Sequence, residues 1–166
     1  MTEIRSLATL MFPSPAPPLY PADASAALIV LPDGRYLLQH RDAKPGIFYP
    51  SHWGCFGGAK EGDETAEQTL ARELREELNL TVEPGAITWF TEFTFDLSEL
   101  GAGIINRMFY EVRAGDIDLA SLSLSEGQGF GAFTRAEALT EIRLVPYDSF
   151  AIWLHASRGL REFILK

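Results

Sequence analysis

Residues 57–80 read GGAKEGDETAEQTLARELREELNL, two adjacent glycines followed by a long stretch of helix formers. From Thr65 to Leu78 there is no Gly or Pro, and Ala, Leu, Glu, Gln and Arg dominate, the residues that lose least on entering a helix. Thr65 with Gln68 three residues on makes a capping-box pattern, and Asp63 and Glu64 suit the positive end of a helix. At about 100° per residue, Leu70, Leu74 and Leu78 form one apolar stripe, and Glu73, Glu76 and Glu77 gather within about another 100° along its border. The spacing therefore predicts a helix with one buried face and an acidic edge partly shielded from water.

Glu73 and Glu77 are like charges at i and i+4, with Glu76 beside them. Such a pair costs roughly 0.2–0.5 kcal/mol on an exposed helix, and more where water is excluded. Clustered carboxylates call for a counterion, and an all-oxygen donor set suits Mg²⁺ or Mn²⁺. Taken alone, the cluster also fits a solvated helix face with Arg72 and Glu76 as an ordinary i,i+4 pair.

The complete spacing separates the two readings. Gly58 is followed by five residues, Glu64, seven residues, Arg72-Glu73-Leu74, one residue, Glu76-Glu77, one residue, then Asn79 and Leu80. This resembles the signature box of the Nudix hydrolases, G-x5-E-x7-R-E-U-x-E-E-x-G-U with U aliphatic. Each fixed position is met except the last glycine, where Asn79 stands. That position closes the helix, where a left-handed residue is wanted and Asn is second choice to Gly. A small stability cost is expected there, with no change in chemistry.

The resemblance implies an α/β fold, a Nudix-type α/β/α sandwich with a mixed β-sheet between helices. It implies metal ligation by Glu76 and Glu77, and a role for Glu73 as ligand, water-orienting base or both. The Gly57 carbonyl is implied as a further ligand. Gly58, Glu64 and Arg72 are implied as supports that fix the loop and the carboxylates. Downstream, Glu126 precedes Gly127 and Gly129 in a loop. Many Nudix enzymes have a similarly placed glutamate serving as ligand or general base; an exposed loop acid is the plain alternative.

The implied activity is Mg²⁺-dependent hydrolysis, with Mn²⁺ as a substitute, of the diphosphate linkage in a nucleoside diphosphate joined to another group. Nucleotide sugars and modified nucleoside triphosphates rank equally as substrates, because fold and box do not select between them. A Nudix-like domain that binds a nucleotide without cleaving it is the alternative, and the retention of Glu64, Glu73, Glu76 and Glu77 counts against it. Arg41, Lys60 and Arg107 are candidates for substrate phosphates, and Phe109 for stacking on a base, each weighed against surface charge or core packing.

Composition agrees. The 166 residues, 46% hydrophobic and 11% aromatic, suit one globular domain. A net charge of −9 argues against a basic groove for nucleic acid and implies that an anionic substrate is received by a local metal. Cys55 is the single cysteine, so no intrachain disulfide forms and a reducing cytoplasm is the expected home. Its apolar surroundings read as those of a packed thiol. No apolar run approaches the ~20 residues of a membrane span, and the N-terminus lacks a signal-peptide pattern.

Residues 1–23 read as an N-terminal extension with a Pro-rich linker, and residues 24–166 as the Nudix domain. The apolar piece Ile4–Phe12 is read as an edge strand, a contact with another subunit in a homodimer, or a frayed end. A hairpin is expected from Ala26–Leu31 and Tyr36–His40, and a short buried strand at Trp53–Phe56. Further strands are expected at Ile87–Phe95, with Ile87, Trp89, Thr91, Phe93 and Phe95 on one face, and at Ile104–Arg113 and Phe130–Phe133. Thr134 with Glu137 marks a second capping box, and Ser149–Arg158 a terminal helix ended by Gly159.

Overall fold

The computed structural model describes residues 22–100, 103–113, 115 and 117–164. The expectations for Ile4–Phe12 and for most of the Pro-rich linker lie outside the described residues. Among the described residues seven strands make one mixed sheet: β1 Ala24–Val30, β2 Tyr36–His40, β3 Trp53–Gly54, β4 Phe56–Ala59, β5 Ile87–Asp96, β6 Ile104–Arg113 and β7 Gly129–Phe133. Helix α1, Ala66–Leu78, lies on one face; α2, Arg135–Thr140, and α3, Pro146–Ile164, lie on the other. This is the expected α/β/α sandwich.

β1 is central because its sequence, ASAALIV, is apolar or small at nearly every position, the signature of a strand buried on both faces. It runs parallel to β6 along its whole length, Ala24 opposite Arg107 through Val30 opposite Arg113. On its other edge the partner changes half-way. Ile29 and Val30 pair with Leu37 and Tyr36, as in the expected hairpin, while Ala24–Ala27 pair with Phe56–Ala59. β1 and β2 thus diverge from the hairpin tip, and the 53–59 segment fills the fork, its first half on β2 and its second on β1. The expected strand at 53–56 continues through both glycines, because β1 offers them ladder partners.

Beneath α1, Leu70, Leu74 and Leu78 are fully buried against Ala27, Ile29, Phe56 and Tyr110. At about 1.5–3 kcal/mol per buried leucine, this stripe is the main force holding the helix to the sheet. On the opposite face Leu28, Leu38, Phe109, Ala138, Ala151 and Ile152 make a second core.

Two expectations are corrected. The single face proposed for Ile87, Trp89, Thr91, Phe93 and Phe95 is split by a bulge at Phe90, between Trp89 and Thr91. An extra residue reverses the alternation, so Ile87 packs on the α1 side while Phe90 and Phe93 pack on the α3 side and Trp89 is exposed. The terminal helix is also longer than Ser149–Arg158. It starts at Pro146, whose missing N–H is harmless in the first turn, and continues past Gly159 to Ile164. Glycine weakens a helix interior by about 1 kcal/mol but does not forbid it.

Candidate active site

The acidic edge of α1 lies beside Gly57 and Gly58 of β4, and the helix is capped at both ends. Thr65 Oγ1 accepts from the Gln68 N–H at 3.2 Å, and Gln68 Oε1 accepts from the Thr65 N–H at 2.8 Å. At the far end Asn79 is left-handed, with φ 53°, and the Leu80 N–H reaches back to the Leu74 carbonyl at 3.1 Å, a Schellman-type closure. Asn79 fills the conformation that the missing box glycine would have taken.

Glu77 is the most enclosed of the acids, only 6% exposed. Its Oε2 accepts from the Gly57 N–H at 3.1 Å and its Oε1 from Gln39 Nε2 at 3.1 Å. Burial pushes its carboxyl up to about 7 against the pull of the Gly57 N–H, and the charges of Glu73 and Glu126 add to the rise. Glu73 is raised too, first by burial and then by Glu76 and Glu126, in opposition to Arg72. A Cβ on Gly58 would collide with the Glu73 carboxylate, so a larger residue there would push that carboxylate from its present place. Gly57 has φ 130° and would drive a side chain into the Ser25 carbonyl.

Arg72 organises the rest. Its Nε donates to Glu64 Oε1 at 2.8 Å and its Nη2 to Glu64 Oε2 and the Ala59 carbonyl, both at 3.1 Å. Nη1 donates to Glu73 at 2.9 Å and Glu76 at 3.1 Å. Hydrogen bonding from Arg72 holds Glu64 down at about 2. One guanidinium therefore ties the loop, the strand end and two helix acids together, leaving Glu76 half in water.

The loop carrying Glu126 is strapped to the same helix end. The Ser123 and Ser125 N–H groups donate to the Leu78 and Glu77 carbonyls at 3.1 and 3.0 Å, and Ser125 Oγ donates to the Glu76 carbonyl. Gln39 Nε2 also donates to the Glu126 carbonyl at 3.2 Å. Glu126 is exposed, yet close enough for its charge to act on both Glu73 and Glu77. Among the described residues no group of three or more His, Cys, Asp or Glu side chains is drawn together closely enough to hold a metal ion as they stand.

The structure thus brings Gly57, Gly58, Glu64, Arg72, Glu73, Glu76, Glu77 and Glu126 together. Lys60 is exposed just beyond β4 and the Ala59 carbonyl that Arg72 grips. Arg41 and Arg107 lie elsewhere, around Asp148. Arg107 stacks on Tyr147 at 4.3 Å and is 4.0 Å from Asp148, and Arg41 donates to the Phe48 carbonyl at 3.0 Å. Asp148 Oδ2 accepts from the Cys55 N–H at 2.9 Å, while Asp148 Oδ1, Arg107 Nε and Ser25 Oγ are buried without a hydrogen-bond partner among the described residues. Phe109 is corrected: it is 0% exposed, packed against Phe93, and has no face to offer a base.

Sequence reasoning missed Gln39, Ser125 and Asp148. Gln39 had a signal, a polar residue in the otherwise buried strand YLLQH, and a buried amide must find partners.

A family model described as the NUDIX domain matches residues 20–156. The chain belongs to the Nudix hydrolase family. Over 59 residues this Nudix chain is 41% identical to the nucleoside triphosphatase NudI of an Enterobacter species, a stretch that is 36% of this chain and 41% of that relative. The match spans about two fifths of the length of the curated relatives. The MutT protein of Methanosarcina mazei shares the fold with a TM-score of 0.68 at 20% identity, covering 87% of this chain and 99% of that one. The NUDIX domain of Shewanella oneidensis NrtR, solved in complex with ADP ribose, gives 0.65 at 19% identity over 95% and 99% of the two chains. At these identities the structural likeness bears on the Nudix fold alone. No helix among the described residues is long and apolar enough to cross a membrane.

Proposed function

We propose that this protein hydrolyses the diphosphate linkage of a nucleoside diphosphate joined to another group, with Mg²⁺ or Mn²⁺ as cofactor and residues 24–166 as the catalytic domain. The observation that carries the reading is geometric: Glu73, Glu76 and Glu77 share one edge of α1 beside Gly57 and Gly58, and the loop bearing Glu126 is hydrogen-bonded to the end of the same helix. Burial raises the pKa of Glu73 and Glu77, and the Glu126 charge adds to both. In a chain of net charge −9, such a cluster costs stability unless a cation joins it. An all-carboxylate donor set with a backbone carbonyl at Gly57 fits a hard divalent ion.

Glu76 and Glu77 would hold the ion, with Glu73, Glu126 and the Gly57 carbonyl as further donors. An ion held by these residues would supply positive charge to polarise the diphosphate, activate water and offset charge on the leaving phosphate. The chain's own part is positional. Gln39 and the Gly57 N–H fix both oxygens of Glu77, and Arg72 fixes one oxygen of Glu73 and one of Glu76. Glu73 or Glu126 takes the proton from the attacking water; the raised pKa of Glu73 brings it nearer to neutrality, where a general base works best.

Nucleotide sugars and modified nucleoside triphosphates are the substrate classes to test. Purified protein with Mg²⁺ is offered a panel of nucleoside di- and triphosphate derivatives, with products identified by mass spectrometry. Cleavage between phosphates is expected, and an untouched panel rules the reading out. Glu76→Gln with Glu77→Gln should abolish turnover in a folded protein. Ligand-induced thermal stabilisation without any product would support a nucleotide-binding domain that does not cleave.

A further inference from the structure

Between β3 and β4 the chain changes partners, and Cys55 is the residue at which it crosses. Gly54 is the last to pair with β2, opposite Gln39, and Phe56 the first to pair with β1, opposite Ala27. Cys55 belongs to neither ladder, so its N–H needs an acceptor from elsewhere. Asp148 of α3 supplies it, Oδ2 accepting at 2.9 Å. The residues just before Asp148 grip the strand upstream of the crossover. The Trp53 N–H donates to the Arg143 carbonyl and the Val145 N–H to the Trp53 carbonyl, both at 2.8 Å. Gly54 leaves room for this grip, since a Cβ there would lie 2.8 Å from Asp148 Oδ2.

Asp148 is poorly placed to stabilise the fold by its charge. It is 2% exposed, and its Oδ1 has no hydrogen-bond partner among the described residues. Arg107 Nη2 stands 4.0 Å from that oxygen, beyond hydrogen-bonding distance. A buried carboxylate so thinly partnered recovers little of the cost of leaving water. The one hydrogen bond it makes is the bond at the crossover.

That crossover lies between the two groups that hold Glu77. Oε1 accepts from Gln39, the ladder partner of Gly54, and Oε2 from the N–H of Gly57, two residues past Cys55. The path of the chain through Cys55 therefore sets one holder relative to the other. A change in that path would turn a carboxylate that is gripped by both oxygens.

We propose that Asp148 is a positioning residue for the metal site: by fixing the Cys55 N–H at the crossover, it sets Gly57 against Gln39 and so aims the Glu77 carboxylate. This role rests on Glu77 being a metal ligand, as read above, and Asp148 serves it from the α3 face of the sheet without touching the ion.

The test compares Asp148→Ala, which removes the acceptor, with Asp148→Asn, which keeps an oxygen in its place. Mn²⁺ uptake by the full chain is read from the EPR signal of the free ion, and amide hydrogen exchange by NMR in the metal-free protein. Asp148→Ala is expected to bind Mn²⁺ about 10–100-fold more weakly. It should also lose exchange protection at Gly57 while β6 keeps its own, and Asp148→Asn should restore both. Unchanged Mn²⁺ affinity in the Ala variant, an Asn variant no better than Ala, or protection lost equally across β6 overturns the proposal. If the unaltered chain takes up no Mn²⁺, the metal reading falls by itself. Gly57 exchange then decides whether Asp148 positions the holder of Glu77, and unchanged protection in Asp148→Ala says that it does not. Should Asp148→Ala fail to fold, Gly54→Ala displaces the same carboxylate without removing it; weaker Mn²⁺ binding is expected there, and unaltered binding overturns the role.

Discussion

Glu77 sits at a balance between stability and use. Its carboxyl moves from 4.5 to about 7 on folding, so between those values the folded chain binds a proton that the unfolded chain has released. Stability therefore falls as pH rises from about 4.5 and levels off above about 7, with a total loss on the order of 3 kcal/mol. In the presence of a chelator, urea melts at pH 5 and pH 8 should show this fall. Glu77→Gln should flatten it and be the more stable protein at pH 8, while losing metal-dependent activity. Equal stability of the unaltered chain at the two pH values would contradict a buried charge at Glu77. Asn79 gives a cleaner contrast. With φ at 53°, Asn79→Ala should cost about 1 kcal/mol, whereas Asn79→Gly should be neutral or slightly stabilising; neither should alter turnover. The acids were legible in the sequence because a helix converts spacing into angle. Gln39 was not, because the partner of a strand side chain is set by a ladder and a loop that carry no period.

At the scale of elements, the site is one helix held by a guanidinium at one flank and a loop at its end. Arg72→Ala removes donors to Glu64, Glu73 and Glu76 at once. Loss of such a support should weaken metal affinity or turnover by about 10–100-fold, read from Mg²⁺ titrations of the initial rate. Ser125→Pro deletes the N–H that donates to the Glu77 carbonyl. If that strap positions Glu126, kcat should fall further than the loss of one hydrogen bond, about 1 kcal/mol of stability, would account for. Leu74→Ala, by contrast, should cost about 2–5 kcal/mol through the cavity it leaves under α1, measured by denaturant unfolding. Elements with caps or a clear period were readable: α1, the second capping box at Thr134, and β6 to its last residue. The bulge at Phe90 was not, since it depends on what β6 offers across the ladder. Nor was the length of α3, because Gly159 carries a stop signal that the surrounding helix overrides.

For the molecule as a whole, a cation that binds only the folded chain must stabilise it. At a hundredfold excess over its dissociation constant, Mg²⁺ should add about 2.7 kcal/mol. That corresponds to several degrees of melting temperature for a domain of this size, reversed by chelation. Absence of any shift with Mg²⁺ or Mn²⁺ would remove the metal from the proposal. The overall architecture was legible because the box tied one helix to one family. The crossing of β1 between two partners on a single edge was not, since it follows from the twist and divergence of strands rather than from any local pattern.

That central strand also sets a timetable. β1 precedes the other strands of the sheet, yet its full-length parallel partner β6 begins about eighty residues later; Asp23 and Asn106, which meet at its start, are 83 residues apart. At a synthesis rate of roughly 5–20 residues per second, a nascent β1 waits on the order of 4–16 s before β6 exists. Its earlier partners, β2 and β4, can occupy only one edge. The other edge, in a strand buried at six of its seven positions, stays open throughout. Non-local pairing of this kind slows folding and prolongs exposure, so the β6 edge of β1, rather than the forked edge, is where a nascent chain of this fold is most open to wrong pairing.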